Sequence, residues 1–162
     1  MKSKSKNLQN MKLEYQWMNL ALEEAKIAEK KLEVPVGAVL VNLHNNELIT
    51  KSSNKIINKS NPLLHAEIEV IFKGLKFLNN KYLNNTAIYI TLEPCLMCAA
   101  AISEARISKV YFGAYDMNNG SIENGMRLYH QKNYFKPEVY GGILEKECSN
   151  LIKDFFKKIR KS

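Results

Sequence analysis

The sequence is poor in cysteine and has no long apolar run. Its 162 residues include three cysteines, at spacings that do not form the paired framework of a disulfide-rich secreted domain. A helix that spans a bilayer needs about 20 consecutive apolar residues, and the chain has no such stretch. The basic residues 1–7 are not followed by the apolar segment of a secretory signal. We therefore expect a soluble, cytoplasmic protein with reduced thiols and no membrane partner.

Acidic residues are outnumbered by basic ones. The chain has 24 Lys and Arg against 16 Asp and Glu, which gives a formal net charge of +8. A basic surface attracts phosphate-rich partners, because binding releases counterions from the nucleic acid. The same surplus also makes a surface that is simply well solvated, and Lys and Asn are frequent along the whole chain. Charge alone therefore leaves a nucleic-acid partner and a solubilising surface equally open.

Two short motifs carry the most information. His65-Ala66-Glu67 precedes Pro94-Cys95-Leu96-Met97-Cys98. One imidazole nitrogen and two thiolate sulfurs suit a tetrahedral Zn²⁺, and three protein ligands leave a fourth position open, as in catalytic zinc sites. Glu67 is not needed as a ligand and lies close enough in sequence to His65 to move protons at that position. Together, His-x-Glu and Pro-Cys-x-x-Cys are the signature of zinc nucleobase deaminases.

The alternative to a catalytic zinc is a closed structural site with a fourth protein ligand. The remaining candidates are Cys148, His44 and His130, and none of them forms a second paired motif. A Cys-x-x-Cys alone also fits redox proteins and structural zinc sites. Glu67 alone could be a carboxylate that stabilises the start of a helix through the helix dipole. The two motifs in this order favour the catalytic site.

The hydrophobic pattern predicts helices that alternate with strands, which indicates a three-layer α/β/α domain. We expect residues 1–10 to be disordered and residues 11–162 to form a single domain. In the second helix, the apolar stripe of Ile68, Ile71, Leu75 and Leu78 should be buried. The predicted helices span 13–31, 64–78, 94–104 and 145–160, and the predicted strands span 36–41, 47–51, 86–92, 109–113 and 139–144.

Both motifs fall at the beginning of predicted helices, and this placement explains how they can meet. Side chains in a first turn can flank a metal ion that lies beyond the end of the helix, so His65 can bind it while Glu67 reaches the open position. Cys95 and Cys98 are three residues apart and share a helix face. The helix N-terminus also favours thiolates and an ionised Glu67.

Further segments resemble the bacterial tRNA-specific adenosine deaminases, which belong to the cytidine deaminase-like superfamily. The resemblance covers nearly the whole chain, and Asp154-Phe155-Phe156 in a basic C-terminal helix is its narrowest element. The other segments that carry it are 34–41, 62–67, 91–99, 112–114 with Asp116, and 142–144.

The resemblance implies a five-stranded mixed sheet with helices on both faces, and one Zn²⁺ per subunit held by His65, Cys95 and Cys98. It implies hydrolytic deamination of the wobble adenosine of a tRNA to inosine, with Glu67 as the catalytic residue. The implied substrate is the anticodon stem-loop of an arginine tRNA with an ACG anticodon, bound by a homodimer. The substrate-binding residues implied by position are Asn54 at the flipped adenine, Asp116 at a neighbouring ribose and Phe156 at the anticodon loop.

Other readings of these residues stay open. Asn54 lies in an Asn-rich loop, Asp116 could be a turn residue, and one of Phe155 and Phe156 should be in the core, because adjacent helix residues face different ways. Tyr115 stands where the family often has a basic residue. One rival function is a free-nucleobase deaminase acting on guanine or cytosine, which would share the zinc motif. Another is a zinc-stabilised RNA-binding module, which would not need the carboxylate next to the zinc ligands.

Overall fold

The structure is a computed structural model that describes residues 2–161, with side chains described from residue 11 onward. Within these residues, helices and strands alternate along the chain much as the sequence predicts. The helices are α1 (Lys2–Lys30), α2 (Ala66–Leu78), α3 (Leu96–Glu104) and α4 (Glu145–Lys161), with a 3₁₀ turn at Leu128–His130. The strands are β1 (Gly37–Asn42), β2 (Glu47–Ser53), β3 (Thr86–Leu92), β4 (Lys109–Ala114) and β5 (Glu138–Tyr140).

The five strands form one mixed sheet in the order β2-β1-β3-β4-β5. β1 is antiparallel to both β2 and β3, whereas β3, β4 and β5 run parallel. The connection between the parallel strands β3 and β4 contains α3, as is usual for such crossovers. The predicted α/β fold class with a five-stranded mixed sheet is therefore confirmed.

Alternating side chains of the central strand face two separate hydrophobic clusters. Ile88 and Ile90 of β3 belong to a cluster with apolar residues of α2 and α3. Ala87 and Tyr89 belong to a second cluster that contains Met18 of α1 and Cys148 of α4. This alternation is the period of a strand that is buried on both faces, so the helices form a layer on each side of the sheet.

Small residues allow α2 to lie close to the sheet. Its buried residues include Ala66, Val70 and Gly74, whereas three of the four residues predicted to be buried, Ile68, Leu75 and Leu78, are only partly covered. A side chain on Gly74 would collide with Leu40 of β1. The predicted stripe was therefore rotated from the observed one, because close packing here selects small side chains over large apolar ones.

Both ends of the chain differ from the predictions. Residues 2–10 are helical rather than disordered, since α1 begins at Lys2 and the sequence there has neither proline nor glycine to end a helix. β5 ends at Tyr140 instead of continuing to residue 144. Gly142 has a φ of +82°, a left-handed conformation that turns the chain toward α4. Among the described residues, no helix combines the length and apolar character needed to cross a membrane.

Candidate active site

The three predicted metal ligands lie together where α2 and α3 begin. His65 is the N-cap residue of α2 and Cys95 is the N-cap residue of α3, and both have extended backbone conformations. Cys98 lies in the first turn of α3 and is fully buried. The ligand atoms of these residues lie within 4.8 Å of one another. Two short motifs that are about thirty residues apart in sequence therefore meet because each one starts a helix.

The distances between the ligand atoms fit one zinc ion. His65 Nδ1 lies 3.8 Å from Cys95 Sγ and 3.5 Å from Cys98 Sγ. Zinc bonds of about 2.0 Å to nitrogen and about 2.3 Å to sulfur, at tetrahedral angles, separate such atoms by about 3.6 Å. Within residues 11–161, no fourth histidine, cysteine or acidic residue joins this group. The donor set therefore suits a zinc site that keeps one position open.

Glu67 is buried beside these ligands and lacks a partner for one of its oxygens. Its side chain is 3% exposed, and Oε2 makes no hydrogen bond within the described part of the chain. A buried polar atom without a partner costs free energy, so such an atom usually faces a water molecule, an ion or a ligand. Without a metal ion, burial raises the pKa of Glu67 to about 7. A bound dication would favour the carboxylate, and Glu67 could then accept a proton from a group beside it.

The two thiols of the cluster shift each other's pKa in opposite directions. A hydrogen bond from the Cys98 thiol is the largest influence on Cys95 and lowers its pKa to about 4. The same hydrogen bond and burial raise the pKa of Cys98, which is the donor. A cation that binds both sulfurs must displace this proton, since thiolates are the metal ligands.

Asn54 lies under the start of α2, where both ends of its amide contact the backbone. Its Oδ1 accepts a hydrogen bond of 2.9 Å from the N–H of Ala66, and its Nδ2 donates one of 3.2 Å to the carbonyl oxygen of Val34. The side chain of His65, the N-cap residue, caps no helix N–H, so Asn54 supplies that cap from another loop. One amide hydrogen of Asn54 stays available for a ligand.

Asp116 closes a turn beside the site. Its Oδ1 accepts hydrogen bonds of 3.0 Å from the N–H groups of both Asn118 and Asn119, which is the geometry of an Asx-type turn. Oδ2 makes no hydrogen bond within residues 11–161, and it is available to a ligand. Asp116 is therefore a turn residue, which is one of the two roles considered from the sequence. This role uses Oδ1 and leaves Oδ2 for binding.

The adjacent phenylalanines of α4 have different environments. Phe155 is 3% exposed and Phe156 is 39% exposed, and their ring centroids are 5.4 Å apart in an edge-to-face arrangement. One of them lies in the core, as the helical geometry requires. Phe156 is the ring that a partner can reach.

Two buried glutamates, which the sequence analysis did not single out, each hold a loop near this site. The Glu33 carboxylate, 1% exposed, accepts hydrogen bonds from the N–H groups of Ile57 and Asn58 at 3.1 and 2.7 Å, and from the Asn58 side chain at 2.9 Å. The Glu93 carboxylate, 2% exposed, holds residues 116–124 in the same way. An acidic residue close to a proline and an apolar strand is the sequence signal that marks both.

Glu33→Gln is expected to lower stability at neutral pH and to weaken the acid dependence of unfolding. Burial raises the pKa of the Glu33 carboxyl, but hydrogen bonds from Asn58 and Ile57 outweigh burial and leave that pKa below its ordinary value. The folded protein therefore binds a proton there less readily than the unfolded chain. The carboxylate stabilises the fold above the unfolded pKa of about 4.3, and this contribution is lost as the pH falls through the lower folded pKa.

Urea unfolding at pH 7 and at pH 3 measures this effect. We expect Glu33→Gln to cost about 1–3 kcal/mol at pH 7, because its amide nitrogen would face N–H donors, and markedly less at pH 3. Glu23 is an exposed glutamate of α1, and Glu23→Gln should change stability by less than about 0.5 kcal/mol at both pH values. An equal loss from Glu33→Gln at both pH values would contradict the role of the charge.

A mixed five-stranded α/β sheet with an open His-Cys-Cys site and an adjacent buried glutamate defines a zinc-dependent deaminase. Residues 11–114 match the family described as the cytidine and deoxycytidylate deaminase zinc-binding region. The chain is 45% identical over 144 residues to the tRNA-specific adenosine deaminase of Rickettsia bellii, a match that covers 88% of this chain and 99% of that protein. The chain therefore belongs to the tRNA-specific adenosine deaminase family.

Solved structures agree with this assignment. A structure from a study of A-to-I editing by tRNA:A34 deaminases at the wobble position of transfer RNA is 42% identical, with a TM-score of 0.81, and the match covers 84% of this chain and 98% of that one. A guanine deaminase from Nitrosomonas europaea has a TM-score of 0.75 at 16% identity, over 87% of this chain and 83% of that one. At that identity the likeness shows the fold alone. The tRNA-specific adenosine deaminases, at 42–45% identity, are the matches that leave the free-nucleobase alternative not favoured.

Proposed function

We propose that this protein is a zinc-dependent hydrolase that converts the wobble adenosine of a tRNA anticodon loop to inosine. The observation that carries the proposal is the buried carboxylate of Glu67, with one oxygen unpartnered, beside the three-ligand group of a chain in this family. A zinc-stabilised binding module would have no use for such a carboxylate, because burying it without a partner costs stability.

The reaction needs one group that carries protons. When bound, Zn²⁺ held by His65, Cys95 and Cys98 supplies the Lewis acidity that makes water a nucleophile near neutral pH. Glu67 accepts a proton from the attacking water and passes it to the ring nitrogen next to C6. It then accepts the remaining proton of the new C6 hydroxyl and donates it to the departing amino group, so that C6 becomes a carbonyl carbon. The bond from C6 to oxygen forms, the bond from C6 to nitrogen breaks, and ammonia leaves.

The base must leave the stack of the anticodon loop before its C6 can reach the site. We assign the second amide hydrogen of Asn54 as the donor to the flipped adenine, and Oδ2 of Asp116 as the acceptor of a hydrogen bond from a ribose hydroxyl. Phe156 offers an exposed ring on a basic helix, which suits stacking on an unpaired base. The basic residues near it on α4 are Lys153, Lys157, Lys158, Arg160 and Lys161.

The partners follow from the family resemblance. We propose that the substrate is the anticodon stem-loop of an arginine tRNA and that the enzyme acts as a homodimer. Two thiolate ligands must stay reduced to hold the metal, which supports a cytoplasmic location.

Sequencing of tRNA after treatment with the protein tests the proposal. Inosine reads as guanosine, so an A-to-G change confined to the wobble position of one tRNA is the expected result. Free guanine and free cytosine, assayed for ammonia release under the same conditions, should not react. Release of ammonia from guanine with unchanged tRNA would instead identify a free-base deaminase.

Replacing each of the adjacent phenylalanines separates RNA contact from packing. Phe156→Ala should weaken binding to an anticodon stem-loop RNA about tenfold, since stacking on a base contributes about 1–3 kcal/mol, and should change stability only slightly. Phe155→Ala should destabilise the fold by about 3–5 kcal/mol, because it empties a buried site. Fluorescence anisotropy and urea unfolding measure the two effects. Unchanged RNA affinity in Phe156→Ala would show that this ring does not contact the RNA.

A further inference from the structure

The Glu93 carboxylate lies at the centre of the loop that carries Asp116. Oε1 accepts hydrogen bonds from the N–H groups of Ile122, Glu123 and Asn124, at 3.2, 2.8 and 2.9 Å. Oε2 accepts one of 3.1 Å from the N–H of Asp116 and one of 2.6 Å from the side chain of Asn124. Five donors therefore converge on one buried carboxylate, and they come from both ends of the loop.

The same glutamate is joined directly to the metal-ligand turn. Cys95 follows it by two residues and forms an isolated antiparallel bridge with Gly120 of the loop. The N–H of Ser121 donates to the carbonyl oxygen of Pro94 at 3.0 Å. A Cβ atom on Gly120 would lie 2.5 Å from Glu93 Cδ, so the loop crosses the carboxylate where only a glycine fits.

We propose that Glu93 is a positioning residue for the deamination, which fixes Asp116 relative to the metal ligand Cys95 so that ribose and base reach the site together. This inference rests on the proposed function, because it assigns Asp116 to the bound nucleotide. The Asp116 side chain has its direction set by the turn over Asn118 and Asn119. Glu93 accepts a hydrogen bond from the backbone N–H of Asp116, where that turn begins. Glu93 also lies two residues before the metal ligand Cys95 in the sequence.

The two ends of the carboxylate differ, and this difference predicts what Glu93→Gln does. Oε1 has three backbone donors, whereas Oε2 has one backbone donor and one amide donor. A glutamine at position 93 keeps most of these hydrogen bonds when its side-chain oxygen occupies the position of Oε1, which has three donors. Its NH₂ group then faces the N–H of Asp116, and two donors cannot bond to each other. The variant should release Asp116 while residues 122–124 stay held.

Steady-state kinetics on an anticodon stem-loop RNA test this inference. We expect Glu93→Gln to raise KM about tenfold, with kcat changed less than threefold and zinc content unchanged. Asp116→Ala should raise KM to a similar extent, and adding Glu93→Gln to Asp116→Ala should change KM less than twofold, because Glu93 acts through Asp116. Gly120→Ala, which pushes a methyl group against the carboxylate, should reproduce the rise in KM.

Glu33→Gln is the matched control, since it alters the other buried carboxylate that binds a loop. Glu33 does not contact Asp116, so any change in KM caused by Glu33→Gln should multiply with the change caused by Asp116→Ala in the double variant. Multiplicative effects of Glu93→Gln and Asp116→Ala, a fall in kcat at unchanged KM, or loss of zinc would each overturn the inference. If the wild-type protein deaminates no RNA, the proposed function is wrong, and the kinetic comparison of the variants cannot be made. Hydrogen exchange then decides the positioning: faster exchange at Asp116 in Glu93→Gln supports it, and unchanged exchange overturns it.

Discussion

Glu67→Gln abolishes deamination while the protein keeps one zinc per chain: this is the largest effect that we expect. The substitution removes the group that moves protons and leaves His65, Cys95 and Cys98 in place. General acid-base catalysis contributes about 10²–10⁴-fold to a rate, and the same carboxylate serves both the water and the departing amine. We therefore expect the rate of inosine formation to fall at least about 10³-fold.

Stability should change in the opposite direction to activity. Burial raises the pKa of Glu67 to about 7, which means that the fold disfavours the charged form of this side chain. An uncharged glutamine should therefore leave the metal-free protein as stable as the metal-free wild type or more stable, a pattern that functional residues often show. A metal assay, thermal unfolding and initial rates measure the three quantities.

Glu69→Gln is the matched control on the same helix. Glu69 pairs with Lys55 at 2.8 Å and with Lys73 at 3.5 Å, outside the three-ligand group. We expect its rate to stay within about tenfold of the wild-type rate, because the Glu69 carboxylate pairs with lysines and with none of the three metal ligands. Substantial activity in Glu67→Gln would remove this residue from the mechanism. Loss of zinc in that variant would show that Glu67 helps to hold the metal.

The sequence predicts elements best where the local pattern and the tertiary environment demand the same residues. β3 has the predicted bounds, Thr86–Leu92, because a strand buried on both faces needs a continuous apolar run of β-forming residues. The placement of His65 and Cys95 at helix starts was also predictable. A proline before Cys95 and an apolar run after each motif mark those starts.

The features that sequence reasoning missed depend on the backbone or on close packing. Glu33 and Glu93 bind N–H groups of residues about 23–31 positions away. Every residue except proline has such a group, so the partners leave no mark in composition. The share of Gly74 in the packed face of α2 was missed, because this residue touches the sheet through its lack of a side chain, whereas Ile71 is buried as predicted. A search for periodic apolar residues detects large side chains and does not detect a contact made by a glycine.

The second large effect concerns the metal ligands, and the chain offers a matched pair of buried thiols. Cys98 belongs to the three-ligand group, whereas Cys148 lies in the second hydrophobic cluster. Cys98→Ala and Cys148→Ala remove the same atom from sites that are both closed to solvent. Any difference in zinc content between them therefore reports ligation and not the loss of a buried sulfur.

Cys98→Ala leaves His65 Nδ1 and one thiolate to hold the metal. Loss of an outer partner of a ligand already weakens metal sites about 10–100-fold, so loss of a ligand should weaken zinc binding by at least about 100-fold. Zinc at 1,000 times its dissociation constant stabilises a fold by about 4 kcal/mol, and most of this stabilisation should disappear. Cys148→Ala should keep one zinc per chain after dialysis, and a chelator should lower its unfolding temperature as it does for the wild type. Full zinc content in Cys98→Ala would contradict the ligand set, because a metal that survives without this sulfur is held by other groups.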